Sequence, residues 1–248
     1  MIKQNRIIMG MPITLMVPDS HGSHTAMAEV FEFFRRVDQT YSPFIETSHV
    51  SKINRQELVE DDYSNELREI LDLAEQAKRD TDGYFDVWHD SVFDPSGIVK
   101  GWAIDRAAEI MRQYTNDFYV EAGGDIQVSG ANDQQQPWRI GVRNPFNRDE
   151  NIAVVSLDNH AIATSGTAIR GQHIYDPVTS RPLTDIVSLS VIAPNIIDAD
   201  RMATAAFAMG ERGIAFIENL PGYEAYMVDA GRRATLTSGW ERFQLQPA

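Results

Sequence analysis

Helical and strand-like periodicities are segregated along this chain instead of alternating, and that arrangement limits its fold more than any other feature. From Ser23 to about Asp38, Val30, Phe33, Phe34 and Val37 recur at helical spacing, with Ser23 placed to cap the start. A second amphipathic helix fits Ser64 to Lys78, where Leu67, Ile70, Leu71, Ala74 and Ala77 share a face. A third is expected from about Gly101, carrying Trp102, Ile104, Ala108 and Met111. One strand is expected from Ile7 to Val17, in which Pro12 points to an edge or a bulge. The centre turns strand-rich: Phe118 to Glu121 runs through Gly123-Gly124 into Ile126 to Ser129 as a hairpin. Trp138 to Val142, Ile152 to Leu157, Ala161 to Thr164 and Val187 to Ala193 read as further strands. Helices fit Ala199 to Met209 and Glu211 to Asn219, before a closing hairpin from Glu224 to Asp229 and Arg233 to Leu236. Clusters of this kind predict an α+β fold with antiparallel-rich sheets and packed helices.

A chain of 248 residues with 43% hydrophobic content can bury a proper core, as one domain over 1–248 or as two intertwined subdomains. Lys and Arg number 22 against 36 Asp and Glu, a formal charge of -14, so no basic surplus exists to neutralise nucleic-acid phosphates. A phosphate ligand held through a metal is still compatible with that balance. The absence of cysteine excludes disulfides, thiolate nucleophiles and Cys-based zinc sites. No segment approaches the ~20 apolar residues of a membrane span, and Met1 to Gly10 lacks the apolar run of a signal peptide. A cytoplasmic location is therefore expected, a periplasmic one being the alternative if a leader is absent from the chain.

Three segments crowd together small, charged and hydrogen-bonding residues. Asp94-Pro95-Ser96-Gly97-Ile98-Val99-Lys100-Gly101 leads into a helix, where free N–H groups suit phosphate and Lys100 adds a point charge. The plainer alternative is a Pro/Gly turn with Lys100 solvated. His173-Ile174-Tyr175-Asp176-Pro177 offers a general base near neutral pH, with Asp176 available to orient it if the chain bends there. A structural histidine is the alternative. Asp198-Ala199-Asp200-Arg201-Met202-Ala203-Thr204 opens a helix on which Asp200 and Thr204 share a face, an all-oxygen partial site of the kind magnesium accepts. Here the alternative is Asp198 as N-cap and Asp200 favoured by the helix dipole.

Taken together and in order, these segments resemble the FAD:protein FMN transferase family, also called the ApbE family. The resemblance runs from Met9-Gly10 to about Tyr226. It takes in Ser42-Pro43-Phe44 with Ser48, Ser51 and Asn54, then Gly83-Tyr84-Phe85-Asp86, Gly97 to Gly101 with Asp105, and Glu121-Ala122-Gly123-Gly124-Asp125. His173 to Pro177, Arg181-Pro182-Leu183, and Asp200 with Thr204 complete it. The resemblance implies an ApbE-like, T-fold-related architecture. It also implies Mg²⁺ held by Asp200, Thr204 and the backbone carbonyl of Gly97, His173 as general base, and FAD as substrate. FAD contacts are implied for Met9, Phe44, Tyr84, Phe85, Asp86, Asp94 and Lys100. Phe44 stands where the family often has Tyr, and Ala203 where some members place a further carboxylate. The implied reaction moves FMN onto a Thr or Ser hydroxyl of a separate redox protein and releases AMP. Hydrolysis of FAD to FMN and AMP, and FAD binding without turnover, are the competing expectations.

Overall fold

A computed structural model describes residues 1–167, 175–176, 181–182 and 184–245. The chain runs through β1 (Ile2–Ile8), β2 (Met11–Val17), α1 (Ser23–Tyr41), α2 (His49–Asn54), α3 (Asn65–Asp80), β3 (Trp88–His89), β4 (Val92–Phe93) and α4 (Ser96–Arg112). It continues with β5 (Phe118–Ala122), β6 (Asp125–Ser129), β7 (Trp138–Asn144), β8 (Asn147–Leu157), β9 (Ala161–Gly166), β10 (Tyr175–Asp176) and β11 (Arg181–Pro182). The last elements are β12 (Ile186–Ala193), α5 (Ile196–Ala208), α6 (Gly213–Glu218), β13 (Glu224–Asp229) and β14 (Ala234–Leu236). The α+β expectation holds. An eight-stranded sheet in the order β1-β2-β5-β6-β9-β12-β13-β14 is antiparallel at every step.

The single strand expected over Ile7 to Val17 is instead a hairpin. Met9 and Gly10 both adopt positive φ, +56° and +68°, which is the primed turn that matches the twist of two antiparallel strands. Ile8 consequently faces Met11, and Pro12 faces Ile7. Pro12 lies near the start of an interior strand and not at an edge: β2 is flanked by β1 and β5, and the first β2–β5 pair is Ile13 with Ala122. Its missing N–H therefore interrupts no ladder in mid-strand.

Helix starts also differ from expectation in instructive ways. Ser23 is the first helical residue of α1 and not its cap; Gly22 precedes it at φ +91°, while the Ser23 hydroxyl donates to the Pro18 carbonyl at 2.7 Å. Ser64 does cap α3, accepting from Leu67 N at 3.2 Å. Helix α4 begins at Ser96, a turn and more before Gly101, because Asp94 Oδ1 accepts from Ser96 N at 3.0 Å and closes the Pro95 turn into the helix. For α5 the cap is Asn195: its Oδ1 accepts from Asp198 N at 2.9 Å while its Nδ2 donates to Asp198 at 2.8 Å. Asp198 is thus the reciprocal partner of the cap, not the cap. The helix expected over Glu211 to Asn219 resolves into a short 3₁₀ turn, Gly210–Arg212, followed by α6.

The two faces of the sheet are covered differently. Ile13, Leu15, Phe118, Val120, Leu189 and Val191 point toward the helices, among them Phe31 and Phe34 of α1 and Trp102 of α4. Each large side chain buried there contributes roughly 1.5–3 kcal/mol. On the other face Ile126, Val128, Ile162 and Ile192 pack under the β7–β8 hairpin through Trp138, Ile140, Val155 and Leu157, with Trp240. Helix α4 is buried over most of its circumference, from Ile98 to Met111, and packs against α1, α3, α5 and β5. No helix among the described residues is long and apolar enough to cross a membrane.

Candidate active site

Three elements deliver one charged side chain each to the helix-facing side of the sheet. Helix α4 contributes Lys100, β6 contributes Asp125 and α5 contributes Asp200. Alternation along β6 decides the direction of Asp125: Ile126 and Val128 turn to the β7–β8 side, so Asp125 faces the helices. The turn before it, Gly123-Gly124, has φ of +63° and +101°, and it sets Ala122 opposite Asp125.

The Lys100 ammonium sits between the two carboxylates, paired with Asp125 Oδ2 and lying 3.1 Å from Asp200 Oδ1. The Lys100 side chain is 17% exposed, those of Asp125 and Asp200 only 2% and 3%. This excludes the reading of Lys100 as a solvated surface residue. Asp125 is further fixed by Thr164 N, which donates to Oδ1 at 2.9 Å. The Oδ2 atoms of both Asp125 and Asp200 are buried without a well-formed hydrogen bond among the described residues; that of Asp125 has the Lys100 ammonium against it, that of Asp200 does not. Burial pushes the Asp200 carboxyl above the usual carboxylate range; the Lys100 charge opposes that shift and the Asp125 charge adds to it.

Helix α4 comes close enough for this contact because residue 101 is glycine. A Cβ there would stand 3.1 Å from both Cβ and Oδ2 of Asp200 and 3.3 Å from the Ile196 carbonyl oxygen. Thr204 lies one turn beyond Asp200 on the same face of α5, as the spacing predicted, and its Oγ1 is 3.3 Å from Ser165 Oγ on β9. Ala203 points into the helix-side core, fully buried. Gly97 is the second residue of α4, and a Cβ on it would meet the buried Phe85 ring at 3.3 Å. The two residues therefore define the wall beside the first turn of α4.

The remaining expected residues are arranged around this centre at varying remove. Tyr84 accepts a 2.6 Å hydrogen bond from Arg212 Nη2, tying the segment after α3 to the start of α6. Asp86 pairs with Lys78 at 2.7 Å and accepts from Trp88 N at 2.9 Å. Asp94 holds the N-terminus of α4 as described. Met9 occupies the β1–β2 turn, partly buried against the helix-side core. Phe44, between α1 and α2, is 93% exposed, leaving both faces of its ring available. His173 lies outside the described residues, as do Ile174 and Pro177; Asp176 is described only as a strand residue paired with Arg181.

The structure adds Asp125, Ser165 and Gly101 to the set. Asp125 and Gly101 stood in the segments that carry the family resemblance, but without an assigned role. Among the described residues no three His, Cys, Asp or Glu side chains form a metal cluster. The donors that do converge are carboxylate and hydroxyl oxygens, which suit a hard cation that keeps several waters and do not suit zinc. The unsatisfied, buried Asp200 Oδ2 beside the Thr204 side of α5 fits such an ion.

The ApbE family model matches this chain over residues 9–93 and 87–227. An FAD:protein FMN transferase of Vibrio cholerae is 33% identical over 164 residues, covering 60% of this chain and 49% of that protein. One from Salmonella typhimurium is 32% identical over 150 residues, 56% of this chain and 43% of that protein. The chain thus spans about half the length of the curated relatives it matches. Among solved structures, the ApbE protein of Thermotoga maritima superimposes with a TM-score of 0.86 at 24% identity, covering 99% of both chains. The flavin transferase ApbE of Vibrio cholerae does so with 0.83 at 23% identity, covering 98% of both; both likenesses establish the fold. With the family's pattern running through most of its length, the chain belongs to the ApbE family.

Proposed function

We propose that this protein is a magnesium-dependent FAD:protein FMN transferase, which attaches FMN through a phosphoester bond to a Thr or Ser hydroxyl of a target redox protein. The observation that carries the reading is the buried Lys100–Asp125–Asp200 cluster beside Thr204, a charged, hydrogen-bonding centre that packing alone does not require. The names of the relatives from Vibrio cholerae and Salmonella typhimurium supply the reaction class.

In this reading the acceptor hydroxyl attacks the phosphorus on the riboflavin side of the FAD pyrophosphate. A new P–O bond forms, the bond to the bridging oxygen breaks, and AMP leaves with that electron pair. His173 takes the hydroxyl proton. Such a base contributes about 10²–10⁴-fold. Asp200, Thr204 and the Gly97 carbonyl would hold Mg²⁺, whose chemistry when bound is to neutralise charge on phosphoryl oxygens. Lys100 adds a positive charge beside the same oxygens. Exposed Phe44 offers a ring face for the adenine or the flavin.

Incubation with FAD, MgCl₂ and a candidate acceptor, followed by intact-mass measurement of the acceptor, tests the proposal. An added FMN on the acceptor with equimolar AMP is expected. AMP without flavin on any acceptor would make the chain an FAD pyrophosphatase, and FAD binding without AMP a carrier.

A further inference from the structure

Among the described residues of the buried cluster, two carboxylates meet one ammonium, a surplus of one formal negative charge in a nearly dry place. The surplus is not spread evenly. Asp125 accepts from Thr164 N on Oδ1 and has the Lys100 ammonium against Oδ2, whereas Asp200 has Lys100 against Oδ1 and no cation against Oδ2 among the described residues; neither Oδ2 has a well-formed hydrogen bond there. Unsatisfied buried charge is costly, so Asp200 is the member with most to gain from another cation. The additional oxygen donors lie on its side as well: Thr204 one turn along α5, with Ser165 of β9 at 3.3 Å from it. Lysine is a point charge on a flexible four-carbon stem, and at 17% exposure Lys100 can shift without unpacking the core.

We propose that Lys100 and a divalent cation are exchangeable counterions of Asp200, and that Asp125 is the positioning residue that retains Lys100 when the exchange occurs. Without the cation, Lys100 bridges both carboxylates and holds α4, α5 and β6 together. With the cation on Asp200 and Thr204, Lys100 keeps Asp125 and turns its released N–H toward the substrate phosphates. The cation and the phosphate-binding lysine are thereby loaded in one coupled movement. This inference rests on the reading of Asp200 and Thr204 as cation donors.

The test is a MgCl₂ titration of the whole chain without FAD, read by melting temperature and by calorimetry, on wild type, Lys100→Gln and Asp125→Asn. Lys100→Gln is expected to melt lower than wild type without Mg²⁺ and to bind Mg²⁺ about tenfold or more tightly, since a single charge a few ångströms from a carboxylate changes its cation affinity by that order. Asp125→Asn is expected to bind Mg²⁺ more weakly than wild type, because the Lys100 ammonium, no longer drawn toward Asp125, then competes more strongly for Asp200. Equal, non-zero Mg²⁺ affinities in wild type and Lys100→Gln would overturn the exchange while leaving the metal reading intact. No Mg²⁺ response in either chain would overturn the metal reading itself, and the exchange with it. Should Lys100→Gln fail to fold, crystals of wild type grown with MgCl₂ decide: Lys100 Nζ is expected near Asp125 and beyond ion-pair distance of Asp200, and an ammonium still on Asp200 beside a bound Mg²⁺ overturns the proposal.

Discussion

Gly101 and Asp200 meet across the α4–α5 contact with no room for a side chain between them, a Cβ on residue 101 falling 3.1 Å from Cβ and Oδ2 of Asp200. Alanine at this position would gain about 1 kcal/mol of helix propensity. Against that, its neighbours are a short, packed side chain and the Ile196 carbonyl, which cannot swing aside, and overpacking of this kind costs roughly 1–3 kcal/mol. The overlap should win or nearly cancel. Gly101→Ala is expected to leave the melting temperature unchanged or a few degrees lower, yet to displace Asp200 and cut FMN transfer by tenfold or more. Transfer at the wild-type rate would show that the α4–α5 spacing does not set the site.

His173→Ala is expected to lower turnover by about 10²–10⁴-fold with FAD affinity nearly unchanged. Single-turnover AMP release alongside flavin fluorescence titration separates the two effects. Equal losses in both would make His173 a binding residue.

Far along the sheet, Glu224 is buried and accepts from Thr237 Oγ1 at 2.5 Å, Gly239 N at 3.0 Å and Arg242 Nη2 at 2.5 Å. Glu224→Gln weakens all three and should cost about 1–3 kcal/mol. Thermal denaturation would then shift down by roughly 2–4 °C per kcal/mol for a chain of this size. A melting temperature equal to wild type would mean that the closing segment is held by Trp240 packing alone.

Asp105, on α4, has its carboxyl raised above the usual range, first by burial and then by the Glu109 charge. A carboxyl raised in the folded state binds its proton more tightly there than in the unfolded chain. Its contribution is therefore most favourable in acid and declines as pH rises from the ordinary carboxylate range, near 3.8, through the higher folded value. Asp105→Asn should stabilise the protein at pH 8 and have less effect at pH 4, measured by urea denaturation. The reverse order would contradict the burial argument.

Much of this architecture was legible in the sequence because helix and strand periods do not overlap. The faces of α1 and α3 and the paired glycines before Asp125 were all readable. The β1–β2 turn was not, since Ile8-Met9-Gly10-Met11 is apolar throughout and only Gly10 interrupts it. The start of α4 was missed because Asp94 and Pro95 organise the entry through a side-chain bond to Ser96, and Gly97 mimics a loop. At the site, the Asp200–Thr204 face followed from the helical repeat alone. Asp125 did not: its partnership with Lys100 joins residues 25 positions apart across a helix–sheet contact, which no local pattern encodes.

The uneven covering of the sheet has a consequence for how such a chain tolerates change. Asp125 and Ser165 occupy the helix-facing side, whereas the apolar underside of β7 and β8 covers Ile126, Val128, Ile162 and Ile192 on the opposite side. The tip of that hairpin, Asn144 to Asn147, is therefore a margin where the protein can be lengthened, labelled or trimmed while the chemistry on the far side of the sheet stays in register.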